Sequence, residues 1–312
     1  MKIGYRRVSG KLPLTDNETG QRGTWLEKRR ALILNLELRG HKFAWLSPLT
    51  TASTEAGHKQ EAYTPCDVLM LEFGGNNLLF NGKAWNETFE MIKTHKGKVI
   101  FLCDDPDLPF LWKELPSEDW TRWFVAVNAT KLEPTRLKLG VPSAARMIDL
   151  PFHALLDQQE FSDGTQPTAI YYGRPNGRMK SLTPYLQSGT LTIAGRIEEW
   201  NDPSLSIVEP PQQRDRANWY KQWRACFAMY DGKHAITGWR TGRAYHALLA
   251  GIPVAAPIGN PALNWAYGVT SPRELASLLR LSREQREAIH ARQVQDSNAY
   301  MLLNLSLATM GL

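Results

Sequence analysis

A chain of 312 residues with 43% apolar and 22% charged side chains can build two domains of ordinary size, and this composition rules out a disordered tail. The formal charge of +6 and sequence pI of about 9.2 favour an anionic partner, whether nucleic acid, nucleotide or phosphorylated metabolite, without choosing among them. Three scattered cysteines, Cys66, Cys103 and Cys226, indicate neither a disulfide framework nor a zinc site and read as buried thiols. No stretch approaches the roughly 20 apolar residues that span a bilayer, and MKIGYRRVSG turns polar at once, so the expectation is a cytoplasmic protein. With no exposed heptad or long apolar stripe, the expected state is a monomer. The 11 tryptophans include several near basic residues, in WKELPSEDWTRWF and NWYKQWR. These suit either stacking on bases and sugars or filling a core.

Taken in order, Met1 to Tyr5 fits a first strand, Ser9 to Gly23 a polar loop, Trp25 to Leu38 a helix, and His41 to Leu46 a second strand. Cys66 to Phe73 is a third apolar run, closed by Gly74-Gly75 and the loop NNLLFNGK, with a helix from Trp85 to His95 behind it. Lys98 to Phe110, KVIFLCDDPDLPF, begins as a buried strand and is stopped by three aspartates and two prolines. Strands are expected again at Trp123 to Ala129 and Ala145 to Phe152. The acidic, turn-rich DQQEFSDGTQ then marks a domain boundary. Beyond it the expected elements are a strand at Ala169 to Tyr172, a helix at Met179 to Leu186, a strand at Leu191 to Ala194 and a basic helix from Arg214 to Tyr230. A short strand at His234 to Ile236, a helix at Thr241 to Ala250 and a strand at Pro253 to Pro257 follow. The helices Pro272 to Leu279 and Arg283 to Leu305 complete the chain. The alternation predicts an α/β fold of two Rossmann-like domains, 1–158 and 166–296, with a C-terminal helix over 297–312 packing back on the first.

Two loops of the second half collect cations. Tyr171-Tyr172-Gly173-Arg174-Pro175-Asn176-Gly177-Arg178-Met179-Lys180 is a strand end, a Gly-containing loop and a helix start. It could offer backbone N–H groups and guanidinium forks to a diphosphate, or be a solvated basic turn. Its spacing is that of neither a Walker loop nor the dinucleotide fingerprint. In TGWRTGRAYH, Arg243 and His246 lie three apart, on one helical face beside a helix N-terminus that favours an anion. Asp104, Asp105 and Asp107 either stop a strand and cap a turn or present carboxylates to a cleft at a strand's carboxyl end.

The runs CDVLMLEFGGNNLLFNGK, KVIFLCDDPDLPF and FVAVNAT, the start MKI, the IYYG loop with its arginines and the late R-A-Y-H helix start follow one another in an order and spacing similar to those of a known family. The chain resembles the T-even type phage DNA β-glucosyltransferases, which transfer glucose from UDP-glucose to 5-hydroxymethylcytosine in duplex DNA. The resemblance is strongest from Cys66 to Phe110 and weak between Leu155 and Ile170 and after Ala256. It implies a GT-B glycosyltransferase fold, two Rossmann-like domains facing a central cleft, with double-stranded DNA on the first and the nucleotide sugar on the second. It also implies base flipping, an inverting displacement and, for a phage enzyme, a place in the host cell cytoplasm.

Residue by residue, the resemblance places Asp105 on the catalytic aspartate, a general base for the acceptor hydroxymethyl group. It places Gly173, Arg174 and Arg178, with Lys180, and Arg243 around the donor diphosphate. His246 stands where the family has a glutamate that binds the ribose, a departure that bears on donor identity. Gly75, Asn76, Asn77, Phe80 and Lys83 match the segment near DNA and the flipped base. The Asp-x-Asp pattern keeps a divalent cation, Mg or Mn, as a candidate aid to diphosphate departure. The alternatives within this fold are another UDP-sugar such as UDP-arabinose, and another acceptor, 5-hydroxymethyluracil or a small molecule outside DNA.

Overall fold

The computed structural model describes residues 1–7, 32–47, 59–73, 82–103, 120–151, 158–175, 177–195, 200, 205–211, 215–230, 232–297 and 299–312. The chain forms two compact units, Met1–Leu155 with Tyr300–Leu312, and Leu156–Ala299.

In the first unit, six short apolar runs become the strands β1 (Lys2–Arg7), β2 (Lys42–Trp45), β3 (Val68–Phe73), β4 (Lys98–Cys103), β5 (Trp123–Val127) and β6 (Arg146–Asp149). They pair in parallel in the order β2-β1-β3-β4-β5-β6. Near-continuous apolar runs such as KVIFLC and WFVAV suit a parallel sheet because both faces are covered. On one face Ile3, Tyr5, Val68, Met70, Ile100 and Leu102 pack against Leu32 and Leu36 of helix α1, residues 32–38. The same core takes Leu303, Leu307 and Met310 of the C-terminal helix Ala299–Met310. Helices α2 (Gly82–Thr94) and α3 (Leu132–Leu139) connect β3 to β4 and β5 to β6.

The second unit holds β7 (Gln166–Tyr172), α4 (Met179–Gln187), β8 (Leu191–Ala194), β9 (Ile207–Val208), α5 (Arg216–Tyr220) and β10 (Trp223–Phe227). Next come α6 (Gly232–Thr237), α7 (Gly242–Leu249), β11 (Val254–Pro257), β12 (Tyr267–Val269), α8 (Pro272–Arg280) and α9 (Arg283–Ser297). Its parallel sheet has the order β12-β11-β10-β7-β8-β9. Ser271 caps α8, accepting from the Glu274 N–H, with Pro272 in the first turn where a missing N–H costs nothing. Leu275, Leu278 and Leu279 of that helix then reach the core formed by Ala169, Tyr171, Ile193, Ala225 and Phe227. Helix α9 is pinned by polar contacts. His290 Nε2 donates to the Leu248 carbonyl at 2.8 Å, and the Gln293 amide spans Val254, donating to its carbonyl and accepting from its N–H.

Both sheets change winding direction within the sheet. The second has β7 at the start, β8 and β9 to one side and β10 to β12 to the other, so its switch point lies between β7 and β10. In the first the switch lies between β1 and β3. Ligands of open α/β sheets collect at the carboxyl ends of the strands beside such points, where the outgoing loops diverge and leave a crevice.

Three expected elements differ. Trp219, Trp223 and Phe227 recur every fourth residue, a helical period, yet the segment divides into the short helix α5 and the strand β10. Pairing of β10 between β7 and β11 overrides the local pattern. His234 to Ile236 is not a strand but part of α6, and Arg283 to Leu305 is two helices, belonging to different units. Cys103 and Cys226 are buried thiols, whereas Cys66 is half-exposed; none forms a disulfide. Among the described residues no helix is long and apolar enough to cross a membrane.

Candidate functional site

At the carboxyl end of β7 the chain turns around one hydroxyl. Tyr171 is buried, and its O–H donates to the Arg174 carbonyl at 3.2 Å while accepting from Arg178 Nη1 at 3.1 Å. The Gly173 N–H meanwhile continues the sheet, donating to Ala194 O at 3.0 Å, and the Arg178 N–H closes a turn onto Pro175 O at 2.5 Å. Arg178 thus stands at the N-cap of α4 with its side chain 8% exposed, beside backbone N–H groups whose partial positive charge attracts anions. Arg174 and Lys180 point to solvent from the same segment.

Across the switch point, α7 begins after the extended residue Thr241 and carries Arg243 in its first turn. The Arg243 guanidinium reaches back to the β7 loop. A Cβ built on Gly173 would lie 2.6 Å from Arg243 Nη1 and 2.7 Å from the Tyr171 hydroxyl, so this close approach requires glycine. The guanidinium carbon also lies 5.2 Å from the centre of the Tyr172 ring. A second guanidinium, that of Arg216 at the start of α5, lies 5.2 Å from the same ring, and the Trp219 ring meets it edge-on at 6.1 Å.

Below this cluster are Tyr220 and Cys226, both fully buried. Burial holds the Tyr220 phenol well above its ordinary range, with further upward pressure from Cys226, against the smaller opposing pull of Arg216 and Arg243. Burial likewise pushes the Cys226 thiol up to about 12 although Arg243 opposes it. Both groups are therefore neutral at physiological pH, and neither supplies an anion to compete for the arginines. His246, one turn beyond Arg243 on the same side of α7, is buried at 7% exposure.

Of the residues singled out from sequence, Gly173, Arg178 and Arg243 come together around the Tyr171 hydroxyl, with Arg174 at the rim and His246 a turn deeper. Asp105, Gly75, Asn76, Asn77 and Phe80 lie outside the described residues. Asp105 is two positions past the last residue of β4, and Lys83 falls in the first turn of α2. The sequence reasoning missed the roles of Tyr171 and Tyr172 in organising the loop, and Arg216 altogether. The available signal was a pair of tyrosines ending a strand directly before Gly-Arg, a place where ring faces and hydroxyls meet guanidinium groups. Among the described residues no group of three or more His, Cys, Asp and Glu could hold a metal ion.

The chain matches no protein-family model and no curated protein sequence. Among solved structures it is similar to the DNA-modifying enzyme β-glucosyltransferase, crystallised with and without uridine diphosphoglucose. That likeness has a TM-score of 0.72 at 14% identity, with 100% of both chains covered. T4 phage β-glucosyltransferase in complex with UDP-glucose gives 0.72 at 13% identity, again over 100% of both chains, as does the same enzyme with UDP and Mn2+. An α,α-trehalose 6-phosphate synthase from Burkholderia multivorans gives 0.52 at 8% identity, over 99% of this chain and 97% of the other. These likenesses show the fold: GT-B, built from two Rossmann-like α/β units.

Proposed function

We propose that this protein is a UDP-sugar-dependent DNA glycosyltransferase that moves a sugar, glucose first among the candidates, to the hydroxymethyl group of 5-hydroxymethylcytosine in duplex DNA. The observation that carries the reading is the convergence of Gly173, Arg178 and Arg243 at the switch point of the second unit. It is an anion site of the right kind in the right place on a chain with full-length likeness to an enzyme solved with UDP-glucose. In this reading the second unit, with residues 166–296, takes the nucleotide sugar and the first, within 1–158, takes DNA.

The chemistry follows from charge. As the sugar's anomeric carbon separates from the diphosphate, negative charge grows on the departing UDP. Arg178, Arg243 and the N-terminal N–H groups of α4 are positioned to stabilise it, Arg243 as a forked donor, with Arg174 and Lys180 adding charge at the rim. His246 supplies a ring nitrogen to a ribose hydroxyl. Asp105 takes the proton of the acceptor hydroxymethyl group while its oxygen attacks the anomeric carbon from the face opposite UDP, which inverts the configuration. The acceptor base is flipped out of the duplex, with Gly75, Asn76, Asn77, Phe80 and Lys83 contacting the strand around the gap. Asp104, Asp105 and Asp107, the carboxylates that would hold Mg or Mn, lie outside the described residues, and a divalent ion held there would offset the charge growing on the departing diphosphate.

The test is mass spectrometry of nucleosides from duplex DNA containing 5-hydroxymethylcytosine or 5-hydroxymethyluracil, after incubation with the protein, UDP-glucose or UDP-arabinose, and either Mg, Mn or a chelator. The expected result is a hexose increment on 5-hydroxymethylcytosine with UDP-glucose. UDP binding without an increment on either base from any donor would remove DNA as the acceptor.

A further inference from the structure

Arg216 is not part of the diphosphate cluster described above, yet it is one of the largest fully enclosed side chains in the protein, at 2% exposure. It opens α5, a helix of five residues, and runs in against the last residue of β7. What it touches there is the Tyr172 ring, 5.2 Å from its guanidinium carbon, the same ring that lies 5.2 Å from Arg243. Trp219, one turn along α5, holds the ring's edge at 77° to its own plane. Tyr172 is therefore fixed on several sides while Arg243 is a long, half-exposed side chain whose rotamer freedom would otherwise cost binding energy.

We propose that Tyr172 and Arg216 are positioning residues of the donor site. Arg216 and Trp219 hold the Tyr172 ring, and the ring's face holds the Arg243 guanidinium against Gly173, aligned for the diphosphate before it arrives. The attraction is that of a cation for the negative face of an aromatic ring, and it survives loss of the tyrosine hydroxyl but not loss of the ring. Orientation of Arg243 is then set before binding, so less entropy is lost when the ligand engages. The Tyr220 hydroxyl, buried beneath the same groups and with no hydrogen-bond partner among the described residues, keeps that floor neutral. This inference rests on the diphosphate reading of the site, and the experiment separates the two.

Calorimetric titration of the full chain with UDP would compare the unaltered protein with Tyr172→Leu, Tyr172→Phe, Arg216→Met and Arg243→Ala, and with Tyr172→Leu combined with Arg243→Ala. Tyr172→Leu is expected to weaken UDP binding about tenfold and Tyr172→Phe to leave it within about twofold, since the ring face carries the effect. In the Arg243→Ala background, Tyr172→Leu is expected to cost nothing further, because the ring acts through that guanidinium. Unchanged affinity in Tyr172→Leu, or an equal loss with and without Arg243, overturns the positioning role. Failure of the unaltered protein to bind UDP, or unchanged binding by Arg243→Ala, overturns the diphosphate reading itself. Arg216→Met is expected to follow Tyr172→Leu. Should that buried substitution prevent folding, the leucine and phenylalanine variants at the half-exposed Tyr172 decide the matter alone.

Discussion

Two rings among the described residues lie beneath paired cations, and they stand at opposite ends of their strands. In the first unit Phe124, near the amino end of β5, has Lys98 Nζ at 5.3 Å and the Arg146 guanidinium at 5.6 Å. In the second, Tyr172 at the carboxyl end of β7 has Arg216 and Arg243. The chemistry is alike; the surroundings are not. Lys98 spends its charge inside the frame, donating to the Met310 carbonyl at the end of the C-terminal helix, where a cation offsets the negative end of the helix dipole. Arg146 is exposed on an edge strand. Arg243 leans instead on a glycine loop at the switch point, beside the N-terminus of α4. Strand direction therefore separates a structural pair from the pair proposed for the donor site when residue type alone would not.

The comparison breaks most sharply at Arg243. Arg243→Ala is expected to reduce UDP affinity about a hundredfold by calorimetry, in line with about 1.5–3 kcal/mol for a hydrogen bond to a charged group, with little change in melting temperature. Arg146→Ala should leave UDP binding unchanged, and an equal loss in both would mean that net positive charge, not position, attracts the ligand. Next in size is Gly173→Ala. Its methyl group would sit within about 3 Å of Arg243 Nη1 and the Tyr171 hydroxyl, and displacing that guanidinium is expected to cost about tenfold in UDP affinity. An unperturbed alanine variant would show that Arg243 does not work from this position. Lys98→Met inverts the pattern: about 1–3 kcal/mol of stability lost in denaturant unfolding with the Met310 carbonyl left without its charged donor, and UDP affinity intact.

How much of this was legible beforehand differs between the two units for physical reasons. Runs such as KVIFLC and CDVLMLEF announced strands because a parallel sheet buried on both faces leaves continuous apolar sequence. The loop with Arg174 and Arg178 and the helix start at Arg243 were visible as cations next to glycines. What could not be read was anything that depends on pairing across the sheet. The period of Trp219, Trp223 and Phe227 is helical, and only the neighbours β7 and β11 make β10 a strand. Arg216 looked like one more charge in a basic helix, because nothing local says that its guanidinium is enclosed against a tyrosine more than forty positions earlier. Short elements such as β9 and β12 have too few residues to show any period.

Acid should affect the frame before the site, and this is the smallest and finest of the expected effects. His95 and His290 are both held below the ordinary histidine value of 6.5, chiefly by burial. In each, Nε2 faces a backbone carbonyl, of Lys98 and of Leu248, so that nitrogen carries the proton. His95 Nδ1 is then left to accept from the Tyr63 hydroxyl at 3.0 Å, and a second proton there would remove the acceptor. Below about pH 6.5 the unfolded chain binds protons that the folded chain resists, so the histidine contribution to stability is complete above that value and declines as pH falls through it toward the lowered folded values. Denaturant unfolding between pH 7.5 and about 5 should show this decline. His290→Gln, whose amide can still donate to Leu248 O but does not titrate, should flatten it. A slope unchanged by that substitution would assign the acid sensitivity to other groups, and a parallel loss of UDP affinity in the same variant would mean that the clasp of α9 on α7 reaches the donor loop after all.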